Sequence, residues 1–433
     1  MSLSRRRLIR LGAGALASGF LFPGRASAEQ KTLKIIQWSH FVPGYDRWFD
    51  RFAGDWGNRN DTHVVVDHIA IGEIAARAAA EVAAQKGHDL FMFLSPPAAY
   101  EQQVIDHREI YEEAQRTNGK AIDLAIRSTF NPKTKKFFGF SESYVPDPGN
   151  YRKDLWSEAG FPHGPDSYDD LLAGGRRIKA RFGNPVGIGL SQELDTNMAM
   201  RAILWSFGGA EQDEGGSVTL YSRQTIEAVK FVRELYRSCQ TPEVFSWDTS
   251  SNNRGILSGR LSYVQNAISI TRSAEKDNPE MSKRIQLANA LRGPIGRLTP
   301  PNNIQAYVIW KFAENKEGAK HFLGDLVNNF SSAFKASEFY NFPCFPSTVP
   351  DLAKRISDDP KAVPRNKYNV LANLISCTKN VGYPGYATAA IDQAFNTFVL
   401  PTMFAKAARD AMTPEAAVRS ADSELRRIFV VWK

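Results

Sequence analysis

Chemistry-bearing side chains are thinly spread along this chain: 7 histidines, 3 cysteines and 46 carboxylates among 433 residues. His63 and His68 flank Val64-Val65-Val66-Asp67. On a strand that spacing sends the two rings to opposite faces, so they do not make a metal pair. The motifs H-E-x-x-H, G-x-S-x-G and G-x-x-x-x-G-K-[ST] are absent from the sequence. Gly187-Ile188-Gly189 lacks the third glycine of a dinucleotide loop, and Glu211 to Gly216 lacks calcium-loop spacing and reads as a solvated hairpin. With 46 acids, a glycosidase-like carboxylate pair stays open as a rival reading. Two short segments are better equipped to hold a small molecule than to transform one: Trp38-Ser39-His40-Phe41, and Ser95-Pro96-Pro97.

Both segments follow strand-like runs. Thr32 to Gln37 reads as a strand, and Tyr45, Trp48, Phe49, Phe52 and Trp56 then recur at helical spacing. Thr62 to Ile69 is β-branched, Ile71 to Lys86 is Ala-rich and helical, and Asp89 to Leu94 is a run suited to a strand covered on both faces. Strand, helix, strand, helix, strand opens a doubly wound α/β domain. Such domains hold ligands beyond the carboxyl ends of their strands, which is where Trp38 to Phe41 and Ser95 fall. Further on, Phe137 to Phe140 is strand-like and leads into a loop, Ser141 to Asn150, containing Pro146, Pro148 and Gly149. Ser167 with Asp170 has capping-box form and starts a helix running to about Arg181. Ser222 caps another helix, and Thr413-Pro414 opens a last one. No internal repeat or low-complexity tract occurs.

Composition narrows the class. With 43% hydrophobic and 23% charged residues the chain is an ordinary globular one, long enough for two or three domains. Its +8 charge is concentrated at the start: residues 1–28 hold five arginines and no acid, so +8 − 5 leaves +3. That stretch has a basic Arg5-Arg6-Arg7, an apolar run from Leu11 to Phe22 and Ala26-Ser27-Ala28. It reads as an export signal of twin-arginine type, cleaved after Ala28. The run is too short to span a bilayer, and the mature chain is expected to be soluble and periplasmic. Its small residual charge gives no reason to invoke nucleic acid. Cys239, Cys344 and Cys377 could form one disulfide or stay as buried thiols.

From Tyr151 the chain reads Tyr-Arg-Lys-Asp-Leu-Trp-Ser-Glu-Ala-Gly, followed by Pro162, Pro165 and Ser167-Tyr168-Asp169-Asp170-Leu171-Leu172. This resembles the Y-N-K-D-L-F-x-x-A-G … P … T-W-D-E-L-L stretch of the extracellular solute-binding proteins (family 1) of ABC importers, in the maltose-binding-protein-like group. Leu204 to Gly209, Gly259 to Tyr263, Asn315 to Leu323, Phe345-Pro346-Ser347 and the Thr413 helix match further family segments in order. The resemblance implies a type II periplasmic-binding-protein fold with two doubly wound α/β lobes joined by hinge crossovers. By that analogy lobe I is 29–138 plus 295–325 and lobe II is 144–291 plus 330–433, with hinges near 139–143, 292–294 and 326–329. It also implies hinge closure over a ligand and transient docking on an ABC permease by a monomer, with no catalysis, cofactor or metal.

For a sugar or polyol, aromatic rings would stack on apolar ring faces while amides and carboxylates bond hydroxyls. The resemblance then points to Trp38, His40, Phe41, Ser95, Tyr144, Gln192, Asp195, Asn197, Asn266, Tyr383 and Tyr386 as ligand contacts. Trp38 also fits a core position, Trp205 reads as core, and Asp195 could instead cap the helix Thr196 to Trp205. Glu142, Asp147 and Glu193 keep a polyamine or another small solute open as the ligand. A role beside a chemoreceptor is a further alternative.

Overall fold

The computed structural model describes residues 31–432, so the expected export signal lies outside the described residues. Ten strands form two main sheets: β1 (Lys31–Trp38), β2 (Thr62–Ile69), β3 (Leu90–Phe93), β4 (Phe140–Val145), β5 (Gly149–Arg152), β6 (Val186–Gly187), β7 (Tyr263–Gln265), β8 (Ile285–Ala288), β9 (Asn303–Ile309) and β10 (Phe342–Pro343). The first sheet runs β10-β4-β9-β3-β1-β2 and the second β8-β5-β7-β6. β1 pairs parallel with β2 and β3, while β9 is antiparallel to both β3 and β4. The carboxyl ends of β1, β3 and β4 and the amino end of β9 therefore share one edge of the first sheet.

Local chemistry explains the pieces. Pro43 begins the helix Pro43–Arg59, whose Tyr45, Phe49, Phe52 and Trp56 are buried at helical spacing. Leu90 to Phe93 is buried on both faces. The Ser167 hydroxyl and the Asp170 carboxylate close a capping box at the start of Tyr168–Phe182, and Ser222 and Thr413 cap Arg223–Cys239 and Pro414–Val431. The expected strand Val186 to Leu190 keeps only two residues, β6. There Gly187 is pressed so close to its neighbour that a Cβ would stand 2.5 Å from the Leu261 side chain.

Five sequence expectations change. The Ser141 to Asn150 loop is mostly strand: β4 and β5 belong to different sheets, and only Pro146 to Pro148, where proline lacks a donor N–H, crosses between them. The hinge expected near 139–143 thus lies largely within β4. Residues 330–377 do not join the second lobe. Phe330, Phe334, Phe342, Phe345, Leu371 and Leu374 belong to the first hydrophobic core, and β10 pairs with β4. The chain crosses to the second lobe after this stretch, and the helices Ala389–Asn396, Val399–Ala408 and Pro414–Val431 then pack on the second core. The hinge expected at 326–329 is instead the end of the helix Lys316–Asn328, because the next apolar side chains stay with the first lobe. Finally, Glu211 is not solvated: it is fully buried and pairs with Arg201 at 2.6 Å, leaving the turn itself to Asp213 to Gly216.

All three cysteines are buried and unpaired. No described helix is long and apolar enough to cross a membrane.

The Phe334 ring is fully buried against Phe339 and Phe342. Phe334→Ala should cost ~3–5 kcal/mol of stability in urea denaturation. A loss under ~1 kcal/mol would place this side chain outside the first core.

Candidate functional site

The shared edge of the first sheet faces the second lobe, and polar side chains from both lobes meet there. Asp147 follows β4, and Asn302 and Asn303 stand where β9 begins. From the second lobe come Asp195 in the first turn of the helix Leu194–Ser206, Asn252 and Asn253 in the helix Ser251–Leu257, and Gln265 and Asn266 at the end of β7.

Amides hold the two carboxylates. Asp147 accepts from Gln265 Nε2 at 2.7 Å, and Asp195 accepts from Asn252 Nδ2 at 2.7 Å. The single amide of Asn302 lies 3.2 Å from oxygens of Asp147, Asp195 and Asn266 alike. Asn266 in turn donates to Asn252 at 3.0 Å and Asn253 at 2.6 Å. Because Asn302 belongs to the first lobe and Asp195 to the second, this contact exists only where the lobes meet. Burial, reinforced by the Asp195 charge, pushes Asp147 up to about 7. Burial also raises Asp195 and its neighbour Glu193. Glu193, not Asp195, caps the helix, accepting from the backbone of Asp195 and Thr196.

Beside the cluster lies a cavity of about 520 Å³, walled by Ser95, Pro97 and Tyr100 from the first lobe and Gln192, Trp247 and Phe395 from the second. Asp392 on its wall accepts the backbone N–H of Ala99 at 2.8 Å, a second tie between lobes. Burial pushes Asp392 up to about 7.

Among the residues picked from sequence, the cluster contains Asp195 and Asn266, and the cavity contains Ser95 and Gln192. Trp38 is only 1% exposed, with its ring 4.8 Å from His40, 5.2 Å from Phe41 and 6.4 Å from Tyr340. Its indole N–H has no partner. Burial, with the nearby Asp195 and Asp147 charges, raises the Tyr340 hydroxyl, so this aromatic group adjoins the cluster.

The others stand apart from it. His40 is buried between Tyr45 and Tyr340, with Nε2 3.2 Å from Asn341 and Nδ1 accepting the Val42 N–H; burial holds it down at about 4, hence neutral. Phe41 faces a surface groove with Arg47 and Lys361. Tyr144 is buried against Phe342. Asn197 is spent within the second lobe, donating to the Phe395 carbonyl of the helix Ala389–Asn396 and accepting from Arg201 of its own helix. Tyr383 packs on Trp205 at 5.5 Å, and Tyr386 lies under Arg127.

Sequence reasoning missed Asn252, Asn253, Asn302, Asn303 and Tyr340. The two Asn-Asn pairs were the available signal, since paired amides next to apolar runs are costly to bury unless they have polar work to do. Among the described residues no group of three or more His, Cys, Asp or Glu could hold a metal ion.

Comparison with known proteins bears on this arrangement. The model of the bacterial extracellular solute-binding protein family matches residues 48–364. A binding protein of Brucella abortus (strain 2308) is 25% identical over 171 residues, 39% of this chain and 41% of that relative; the match thus spans about two fifths of the relative's length. Among solved structures, a sugar transporter from Arthrobacter chlorophenolicus A6 with bound laminaribiose superposes with a TM-score of 0.76 at 16% identity, covering 92% of this chain and 99% of that one. A solute-binding protein of an ABC transporter from Agrobacterium radiobacter K84, in complex with ribitol, gives 0.73 at 15% identity over 92% and 98%. At these identities the likeness is one of fold.

In the unfolded chain Asp147 ionises in the ordinary carboxylate range near pH 4, whereas in the folded protein it does so at about 7. Between those values the native state holds a proton that the unfolded chain has shed, so this group's contribution to stability is present at low pH and lost as pH rises through 7. His40 works in the opposite sense between about 4 and 6.5, which a difference measurement removes. Ligand-free Asp147→Asn should therefore gain on the native chain between pH 5 and pH 7.5 by up to ~1.4 kcal/mol per pH unit in urea denaturation. A difference that stays flat with pH would show that Asp147 is not held in this buried state.

Proposed function

The chain belongs to the bacterial extracellular solute-binding proteins, and on that premise we propose that it captures a sugar, oligosaccharide or polyol between its lobes and delivers it to an inner-membrane ABC permease. The observation that carries this reading is the meeting of amide and carboxylate groups from both lobes around Asn302, beside a cavity of about 520 Å³ and next to the buried Trp38 and Tyr340 rings. Hydroxyl groups need both donors and acceptors at short range, and amides supply both. A cavity of this size matches a small ligand site.

The mechanism is binding without chemistry. In the open form Asp195 and Asn302 belong to separate walls of the cleft. A solute that bonds both walls favours the closed form by its differential affinity, and contacts such as Asn302 with Asp195 and Asp392 with the Ala99 N–H add to closure. Docking of the closed form on the permease then follows. Export fits the reading: Arg5-Arg6-Arg7, the Leu11 to Phe22 run and Ala26-Ser27-Ala28 would deliver the mature chain to the periplasm by the twin-arginine route.

The test is a thermal-shift screen of the mature chain, refolded free of carried-over solute, against laminaribiose, maltose, ribitol, common monosaccharides and amino acids. A ligand at 100 times its Kd should add about 2.7 kcal/mol, a rise of a few degrees in Tm. A chain that no neutral sugar or polyol stabilises, while an amino acid does, would sink this reading.

A further inference from the structure

We propose that the cavity between the lobes is a subsite for an apolar aglycone, so that the solute is a sugar or polyol carrying a neutral substituent of about phenyl size. The inference rests on the reading of the cleft as a saccharide site and specifies its ligand further.

The first argument is the chemistry of the wall. Ile71 and Ile74 follow β2, Phe93 and Leu94 stand at the end of β3, and Leu194 and Phe398 come from the second lobe. Sugar rings pack on flat aromatic faces, and the branched chains of Ile71, Ile74, Leu94 and Leu194 offer none. They suit a group that makes no hydrogen bonds. The polar atoms on the same wall are already engaged. Asp392 accepts from the Ala99 N–H at 2.8 Å and from Asn396 Nδ2 at 2.6 Å. Glu193 accepts from the backbone of Asp195 and Thr196, and Asp248 accepts from Arg254 at 2.9 Å. Gln192 donates to Thr402 at 3.3 Å. An apolar group leaves each of these bonds intact, whereas a hydroxyl would have to compete with them. No Lys, Arg or His stands among the described wall residues, so an anionic substituent would find no counter-charge there. The amides and carboxylates suited to hydroxyls lie next door around Asn302, and Glu193 links the two places through the Asp195 N–H. At about 520 Å³ between two lobes, the cavity admits a small molecule rather than a protein segment.

The second argument is Phe398. It occupies the turn between the helices Ala389–Asn396 and Val399–Ala408 with φ at 55°. That left-handed conformation is costly for a bulky side chain and persists only where the surroundings impose it. Yet among the described residues its ring joins none of the hydrophobic clusters. It stands half-buried on the cavity wall instead. Ile71, Leu194 and Trp247 are half-buried there as well, so apolar surface from both lobes stays wet until a solute covers it. A strained phenylalanine outside every core contributes little to folding. Closing on the apolar face of a solute gives the position its use.

Isothermal titration of the mature, solute-free chain at pH 7 tests the inference. The panel pairs the phenyl and methyl glycosides of glucose, galactose and mannose, and adds laminaribiose, ribitol and phenol. A phenyl glycoside should bind roughly tenfold or more tightly than its methyl counterpart, as burial of a phenyl ring predicts. The gain should come with a more negative heat-capacity change, the mark of apolar burial. Phe398→Gly removes the ring while suiting the left-handed backbone, and Ile71→Ser removes an apolar group from the facing lobe. Each should lower the phenyl-to-methyl ratio severalfold; the comparison on the native chain keeps the test valid if either variant misfolds. Methyl glycosides binding as tightly as the phenyl ones would overturn the apolar subsite while leaving the saccharide reading intact. Phenol binding with no glycoside of any kind would keep the apolar subsite and remove the saccharide reading. Silence from every phenyl compound would overturn the inference, and laminaribiose or ribitol binding in that case would keep the saccharide reading.

Discussion

An amide nitrogen carries two hydrogens, and that of Asn302 stands before three oxygens drawn from both lobes. This shortage orders the whole seam. Each lobe has its own apolar core, one built on Leu33, Phe91 and Phe322 and the other on Trp156, Leu204 and Leu425. Around Asn302 the lobes meet through carboxylates and amides, beside a cavity that also presents Tyr100, Trp247 and Phe395. Apolar packing would glue the lobes shut in water, because hydrophobic contact is non-directional and insensitive to a solute. Polar groups that bond equally well to water leave opening nearly free, and closure then depends on what enters the cleft.

The strand arrangement places those groups. β9 runs antiparallel between β3 and β4, so its first residues, Asn302 and Asn303, arrive at the edge where β1 and β4 deliver Trp38 and Asp147. An all-parallel sheet would have sent them to the far side. The same logic governs the helix Leu194–Ser206, whose amino end points Glu193 and Asp195 into the cleft; Glu193 satisfies the end of the helix and leaves Asp195 free for Asn252 and Asn302.

Much of the fold was legible in the sequence because it follows from local rules. The β1-to-β3 unit, the Ser167 and Ser222 caps and the Thr413-Pro414 helix start all rest on patterns within a few residues. The family likeness was legible from a series of weak segments in fixed order. Lobe membership was not: nothing within Phe330 to Phe345 says which of two cores its phenylalanines will fill, and only the pairing of β10 with β4 decides it. The site was half legible. Asp195 and Asn266 stand where strand and helix ends predict, yet Asn302 gains its role from residues 36, 107 and 155 positions away along the chain. His40 and Tyr144 were attractive by residue type and location, but their rings turn into the first core, a choice set by neighbours such as Tyr340 and Phe342.

The position of β9 also has a consequence for synthesis. It lies between β3 and β4, so the first lobe's sheet has a gap at its centre until residue 309 has been made, and its β10 edge closes only with Pro343. By then the whole of β5 to β8 has already left the ribosome. The first lobe thus closes late, and nascent chains carry an open strand edge on β3 through about half of translation. The second lobe is caught in the same way, waiting for the last three helices. The first half is completed by segments lying beyond β8 of the second, and the second by helices lying beyond the first, so only the second half must wait for the end of the polypeptide.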